Sequence, residues 1–420
     1  VRSTFPVWEG RNERAVVPQS TAMTQTSQPR PRRVVVRRVL SPLVQFLHTE
    51  VAGGALLLGA SVLALLWANS PWSDGYHHFW HHMVTIGPDG HAIRLDLKDW
   101  VGDGLMTIFF LVVGLEIKRE LTGGHLAGRR AATLPVAAAV GGMVVPALLY
   151  VAIAGGTAAH GWGVPMATDI ALAVGVLALV GSGAPASLRA FLLGLAVVDD
   201  IGAIVVIAVF YSTGVAFGWL AGAAAAVVVT LVLQKVGVSS VAVYVLVGVA
   251  MWYAMHEGGI HPTLAGVVMG LLTPVDRISR LEHRLHPWSS FCIVPLFALA
   301  NAGIEVSGHS MRVALGSPIF WGIVAGLVLG KPLGVLLSVK LATKSGAADA
   351  PDGTTGRQLL GAGNAAGIGF TVALFIAELA FKDDGVVNEA QLADAKMAIL
   401  LASLVSGVLA FAVLRQRSRA

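Results

Sequence analysis

Long apolar runs alternate with short polar connections along most of the chain, and the length of the runs is the first clue to their use. A helix needs about 20 residues to cross ~30 Å of hydrocarbon. Runs that meet or approach this fall at 51–69, 100–118, 131–154, 163–181, 189–212, 215–234, 239–256, 259–273, 287–305, 317–340, 359–381 and 395–414. The pattern predicts an all-α membrane protein of twelve transmembrane helices. Between the first two runs the period changes. Val84-Thr85-Ile86 and Ala92-Ile93-Arg94-Leu95 flank Pro88-Asp89-Gly90, a turn between short alternating stretches, so the local sequence fits a small β-hairpin or an irregular loop. Upstream, 1–37 is rich in Ser, Thr, Gln, Pro and Arg and reads as a disordered basic tail, without the apolar core of a cleavable signal near its start. The expected division is that tail, a membrane domain over 38–414 and a short tail at 415–420.

Composition agrees with the pattern. Hydrophobic residues make up 55% of the 420 and charged ones only 13%, with a mean hydropathy of +0.73, which excludes an ordinary soluble domain with a polar shell. Glycine, at 49 residues, suits close approach between membrane helices. The single cysteine, Cys292, excludes an internal disulfide and sits in an apolar run, where an inert thiol is expected. A net charge of +5 raises the question of nucleic acid, but topology accounts for the basic residues. With the N-terminus placed in the cytoplasm, 23 of the 29 Lys and Arg fall on that side. Five (Arg94, Lys98, Arg312, Lys382 and Lys396) fall outside, and Lys331 lies within a span. That is the positive-inside bias, and an even number of spans puts both termini in the cytoplasm.

The charges left inside the apolar runs carry the chemistry, because each costs at least ~2.5 kcal/mol at the bilayer centre unless it pairs, meets water or does work. Glu378 and Asp103 lie near outer span ends, within expected reach of water. Glu116 is offset by Lys118 and Arg119, as a structural pairing or at the mouth of a cavity. Asp199 and Asp200 have no local counter-charge, Asp169 follows Pro165 by four residues, and Lys331 precedes Pro332. Three acids facing one lysine would carry excess negative charge, so they hold protons unless a cation compensates. Protons and a small cation then compete for one site. The fourth run, and the eleventh with Gly361, Gly363, Gly367 and Gly369, read as broken helices within inverted repeats formed by helices 3–5 and 10–12. Their facing half-helix ends are charges that Asp169 and Lys331 can compensate.

At these residues the chain resembles the NhaA family of sodium/proton antiporters, from about 45 to 415. The resemblance is carried by GLEIKRELTGG at 114–124, PMATDIA at 165–171, LAVVDDIGAI at 195–204, HPTLAGV at 261–267, LEHRLHPW at 281–288, PLFALANAG at 295–303, GKPLG at 330–334 and GIGFT at 367–371. It implies that Asp199 and Asp200 form a cation- and proton-binding pair for Na+ or Li+ at the base of a cytoplasmic funnel. It further implies that Lys331 pairs with the first of them and that Thr168 and Asp169 sit at the helix crossing. Glu116, Glu282, His283 and His286 are implied in pH sensing near the funnel entrance. Electrogenic exchange of sodium for protons in a bacterial inner membrane, no resident cofactor, and a homodimer through the outer hairpin at 84–97 are also implied. Three features depart from the pattern or stand outside it: the N-terminal tail, Asn364 in the eleventh run, and His77, His78, His81 and His82. These histidines adjoin Trp72, Tyr76 and Trp80 and fit an interfacial segment better than a metal site. A cation channel and an intramembrane aspartyl protease are the alternatives. The protease is disfavoured because the two adjacent aspartates share one helix and the Tyr-Asp and Gly-x-Gly-Asp signatures are absent. The channel is disfavoured because a lysine at the site and broken helices suit alternating access.

Overall fold

The computed structural model describes residues 51–415 apart from 88–91, 125, 182–183, 213 and 384–385. The expected tail at 1–37, all but the first residue of 415–420, and the Pro88-Asp89-Gly90 turn lie outside the described residues. The described residues begin with α1 (Val51–Ala68) and α2 (Ser73–Trp80). A hairpin of β1 (Met83–Ile86) and β2 (Ile93–Asp96) follows, paired antiparallel with Val84 opposite Leu95. Strand pairing thus decides between hairpin and loop. α3 (Leu97–Gly123) starts directly from β2, with the Asp96 carboxylate accepting the Asp99 N–H as its N-cap.

After α4 (Arg129–Ala154) the backbone tightens into a 3₁₀ segment, Gly156–Met166, then runs extended into α5 (Ile170–Val180). Next come α6 (Ala186–Phe210), α7 (Phe217–Val236), α8 (Val241–Glu257), α9 (Leu264–Leu272) and α10 (Val275–Trp288). They are followed by α11 (Val294–Asn301), α12 (Gly308–Gly316) and α13 (Pro318–Lys344). The chain ends in α14 (Gly356–Ala366), α15 (Phe370–Ala380), a two-residue strand pair and α16 (Glu389–Arg415).

Among the described residues seven helices are long and apolar enough to cross a membrane, and two bent pairs bring the number to nine. Of the remaining three expected runs, two are shorter as helices. α8 has 17 residues and α9 has 9, because the chain turns at Gly258–Pro262 before α9 begins. The run expected at 287–305 continues the charged α10 without a break: a π-turn spans Ser289–Ile293, its flanking residues stay helical, and the α-helical part beyond it, α11, has 8 residues. Large apolar side chains point outward on the long helices, with Leu66 at 64%, Leu246 at 74% and Leu404 at 66% exposure. Such a surface belongs against lipid.

Glycine sets the closest helix contacts. A Cβ at Gly334 on α13 would sit 2.1 Å from the Gly141 carbonyl oxygen on α4, and one at Gly266 on α9 would sit 2.0 Å from the Thr107 carbonyl on α3. Backbones this near exclude any side chain. The first contact presses the helix that carries Lys331 against the interior. The second closes α9 on the helix that carries Glu116.

Candidate functional site

The two bent pairs meet where their helices break. The 3₁₀ segment and α5 are inclined by 43°, α14 and α15 by 46°. Each break strips neighbouring peptide groups of their helical partners, and in a membrane those groups need others. The two breaks supply one another. The Asp169 N–H donates to the Ile368 carbonyl at 2.6 Å, and the Thr168 hydroxyl lies 2.8 Å from the Ala366 carbonyl. The Asp169 carboxylate accepts the Leu172 N–H at 3.1 Å through Oδ1. Through Oδ2 it accepts the Thr371 hydroxyl at 2.6 Å and the Thr371 N–H at 3.2 Å. Asp169 therefore caps α5 and clasps the start of α15 with the same side chain. Both of its oxygens are committed to the crossing.

Lys331 enters from α13. A π-turn over Gly326–Gly330 ends immediately before it, and its side chain is fully buried. Its ammonium donates to Asp199 Oδ2 at 2.6 Å and to the Met166 carbonyl, the last of the 3₁₀ segment. One cation thus neutralises a carboxylate and the negative end of a helical segment. Asp199 Oδ2 also receives the Thr168 hydroxyl at 2.6 Å. That hydroxyl has a single proton and two acceptors, Asp199 and Ala366. It donates to an ionised Asp199. If Asp199 carries a proton, Thr168 can accept from it and donate to Ala366 instead. Asp199 Oδ1 is buried and has no hydrogen-bond partner among the described residues.

Asp200 is one residue on along α6 and so faces about 100° away. It lines a cavity with Thr168, Asp169, Thr371, Glu116 and His286, whose remaining wall is mostly apolar, including Leu57, Phe109, Val113 and Val294, with Ser289 and Ser290. No hydrogen bond to its carboxylate is formed by any described residue, although it is only 7% exposed. A carboxylate in that setting, beside a second one with an open oxygen and with one lysine for both, can take a proton or a small desolvated cation.

The cavity runs from Asp200 toward Glu116. There the Arg119 guanidinium lies 3.6 Å from Glu116 and 3.4 Å from Glu120, and pairs with Glu282. Lys118 donates to the carbonyls of Leu271 and Thr273 at the end of α9, at 2.8 and 2.6 Å. His286 is on the cavity wall, whereas His283, one turn earlier in α10, is exposed. The sequence-derived residues therefore divide: Asp200, Thr168 and Asp169 line the cavity together with Glu116 and His286, Asp199 and Lys331 sit behind it, joined through the Thr168 hydroxyl, Glu282 joins through Arg119, and His283 stands apart.

Other expectations change on inspection. Glu378 does not depend on water alone: with its side chain 18% exposed, it is held between Lys98 and Lys396, at 3.0 and 2.6 Å. Lys396, expected in an outer loop, is a buried residue of α16. Asp103 faces His261 Nε2 at 3.4 Å. In the histidine group, His81 pairs with Asp96 of the hairpin at 2.8 Å. Asn364 is buried within α14. Thr371 was missed as a site residue; its motif was visible, but nothing local says that its hydroxyl crosses to Asp169.

Comparison with known proteins extends this geometry. Residues 44–414 match the family described as Na+/H+ antiporter 1. The Na+/H+ antiporter NhaA 2 of Sorangium cellulosum (strain So ce56) is 43% identical over 432 residues, covering 91% of this chain and 91% of that protein. The Na+/H+ antiporter NhaA of Janthinobacterium sp. (strain Marseille) is also 43% identical, covering 90% and 94%. NhaA of Escherichia coli (strain UTI89 / UPEC) is 45% identical over 386 residues, covering 90% and 98%. With a match running through both broken helices and every residue at their crossing, this chain belongs to the NhaA family of Na+/H+ antiporters.

Proposed function

We propose that the chain is an electrogenic Na+(Li+)/H+ antiporter of the bacterial inner membrane, a secondary transporter rather than an enzyme, that extrudes sodium for pH and sodium homeostasis. The observation that carries this reading is Asp200. It is a buried carboxylate without a hydrogen-bond partner among the described residues, on a cavity wall, beside an Asp199–Lys331 pair with one open carboxylate oxygen. Sodium arriving from the cytoplasm meets Asp200 and the open oxygen of Asp199, with Thr168 adjacent. Its charge replaces the protons those acids would otherwise hold, so the two occupants exclude one another. The site then turns to the outside, releases sodium, reloads protons and returns. More protons than sodium ions cross per cycle when both acids titrate.

The same reading assigns twelve spans, with α4 to α6 and α13 to α16 as the inverted repeats and both termini in the cytoplasm. Asp169 holds the crossing, Lys331 balances Asp199, and Glu116, Glu282, His283 and His286 set the pH response at the funnel mouth. Two copies associate through the 84–97 hairpin. Sodium added to acid-loaded everted vesicles tests the function. An antiporter releases the stored protons in step with sodium, with lithium in its place and not potassium. Sodium flux without proton movement would point to a channel and overturn the proposal.

A further inference from the structure

Leading away from the cavity, α15 presents three side chains in rising order on one face. Thr371 holds Asp169, Phe375 stands one turn above it, and Glu378 stands two turns above, about 10 Å along the axis. Phe375 is buried, with ring centroids 5.3 Å from Phe110, 5.0 Å from His261 and 6.1 Å from Phe297. Above this aromatic layer Glu378 receives Lys98 at 3.0 Å and Lys396 at 2.6 Å, all three side chains being less than a fifth exposed. The cavity reaches Thr371 and Val372 but not Phe375. It opens toward Glu116, at the far end of the helix that Lys98 begins.

The two lysines are not equivalent. Lys396 belongs to α16, which packs along α15, so it travels with Glu378. Lys98 belongs to α3, whose main neighbours are α9 and α10. The Lys98–Glu378 ion pair crosses from that second group to the broken-helix assembly, above the ring contact of Phe110 with Phe375. Asp99, Lys382 and Glu389 are the other charges that act on this cluster. None of these groups is needed for binding a cation at Asp200, yet three charges have been taken out of water, which calls for a purpose.

We propose that the Lys98–Glu378 bond, backed by Lys396 and seated on the Phe375 layer, is an outer latch that holds the site closed to the outside and must break each time the site turns outward. This rests on the antiport reading. Lys98→Met removes the crossing bond and leaves the Glu378–Lys396 pair neutral, so it is the clean perturbation. The reporter is Ala377→Cys, buried beside the latch, with Cys292→Ser removing the native thiol. Right-side-out vesicles are treated with a membrane-impermeant maleimide. Lys98→Met should accelerate labelling by about fivefold or more, since losing one ion pair shifts the populations of two alternating states by about that factor. Lys98→Arg should restore slow labelling. Lys98→Gln, which keeps a donor without the charge, makes the same comparison if the methionine variant does not insert. Unchanged labelling in a variant that still exchanges sodium for protons overturns the latch and leaves the antiporter standing. A reporter parent without sodium-driven proton movement overturns the antiport reading, and the latch with it.

Discussion

Replacing Lys331 by Met is the sharpest perturbation of the site, because methionine fills nearly the same space and removes the charge together with its hydrogen bonds. The ammonium is bonded to Asp199 and to the Met166 carbonyl, and both are buried. Breaking a buried pair of this kind costs about 3–5 kcal/mol when the orphaned charge has no escape. Asp199 has one: it can take a proton from solvent. Loading that proton costs ~1.4 kcal/mol for each pH unit above the ordinary carboxylate value near 4, so ~4 kcal/mol at pH 7 and ~1.5 kcal/mol at pH 5. The cheaper route wins, and the loss becomes pH-dependent. The sign follows from linkage. The folded variant carries a proton on Asp199 that the unfolded chain has lost, so folding takes up a proton and stability falls as pH rises above the unfolded carboxylate pKa. Thermal unfolding of purified protein in detergent at pH 5, 6, 7 and 8 gives the measure. The variant's melting temperature should lie well below the parent's at pH 8, and the gap should narrow steadily toward pH 5. An equal gap at pH 5 and pH 8 would refute the argument, since it would mean that Asp199 does not depend on Lys331 for its charge.

Asp200→Asn should abolish sodium-driven proton movement in reconstituted vesicles while changing the melting temperature little, because no described residue donates to that carboxylate; full activity would remove Asp200 as the principal ligand. Thr168→Val removes the only side-chain hydroxyl that a described residue gives to Asp199 and should weaken sodium binding by about tenfold, near the worth of one hydrogen bond to a charged group, with Thr168→Ser recovering most of it in calorimetry. Sodium affinity itself should weaken about tenfold per pH unit for each proton displaced as pH falls to the site's own titration limit; a pH-independent affinity would defeat the shared site. Replacing His283 and His286 together by Gln should move the activation midpoint of transport and leave that equilibrium slope in place, as transport assays and titrations on one preparation would reveal.

What could be read from the sequence was whatever chemistry writes into local pattern. Apolar runs long enough for a bilayer, a hairpin with a Pro-Asp-Gly turn, glycines that disrupt the eleventh run and a lysine between glycine and proline all state their physical requirement within a few residues. Asp199, Asp200 and Lys331 stood out for the same reason: an unpaired charge in an apolar run has a cost visible without coordinates. Hydrogen bonds between distant segments leave no such trace. Thr371 is one more hydroxyl on an apolar helix until Asp169, 202 positions earlier, is brought beside it by two backbone breaks that need each other's groups. Glu378 misled for a related reason. Near an outer span end, water is the default partner for a carboxylate. Only packing α15 against α16, with the start of α3 brought alongside, replaces water with Lys396 and Lys98. The shorter α9 follows the same logic, because hydropathy measures where a chain can be buried but not where its hydrogen bonds break. A broken helix therefore reads from sequence as a weakness in a span. In the folded chain its freed peptide groups, crossed with a second set, hold Asp169 at the crossing where we propose that a proton and a sodium ion compete.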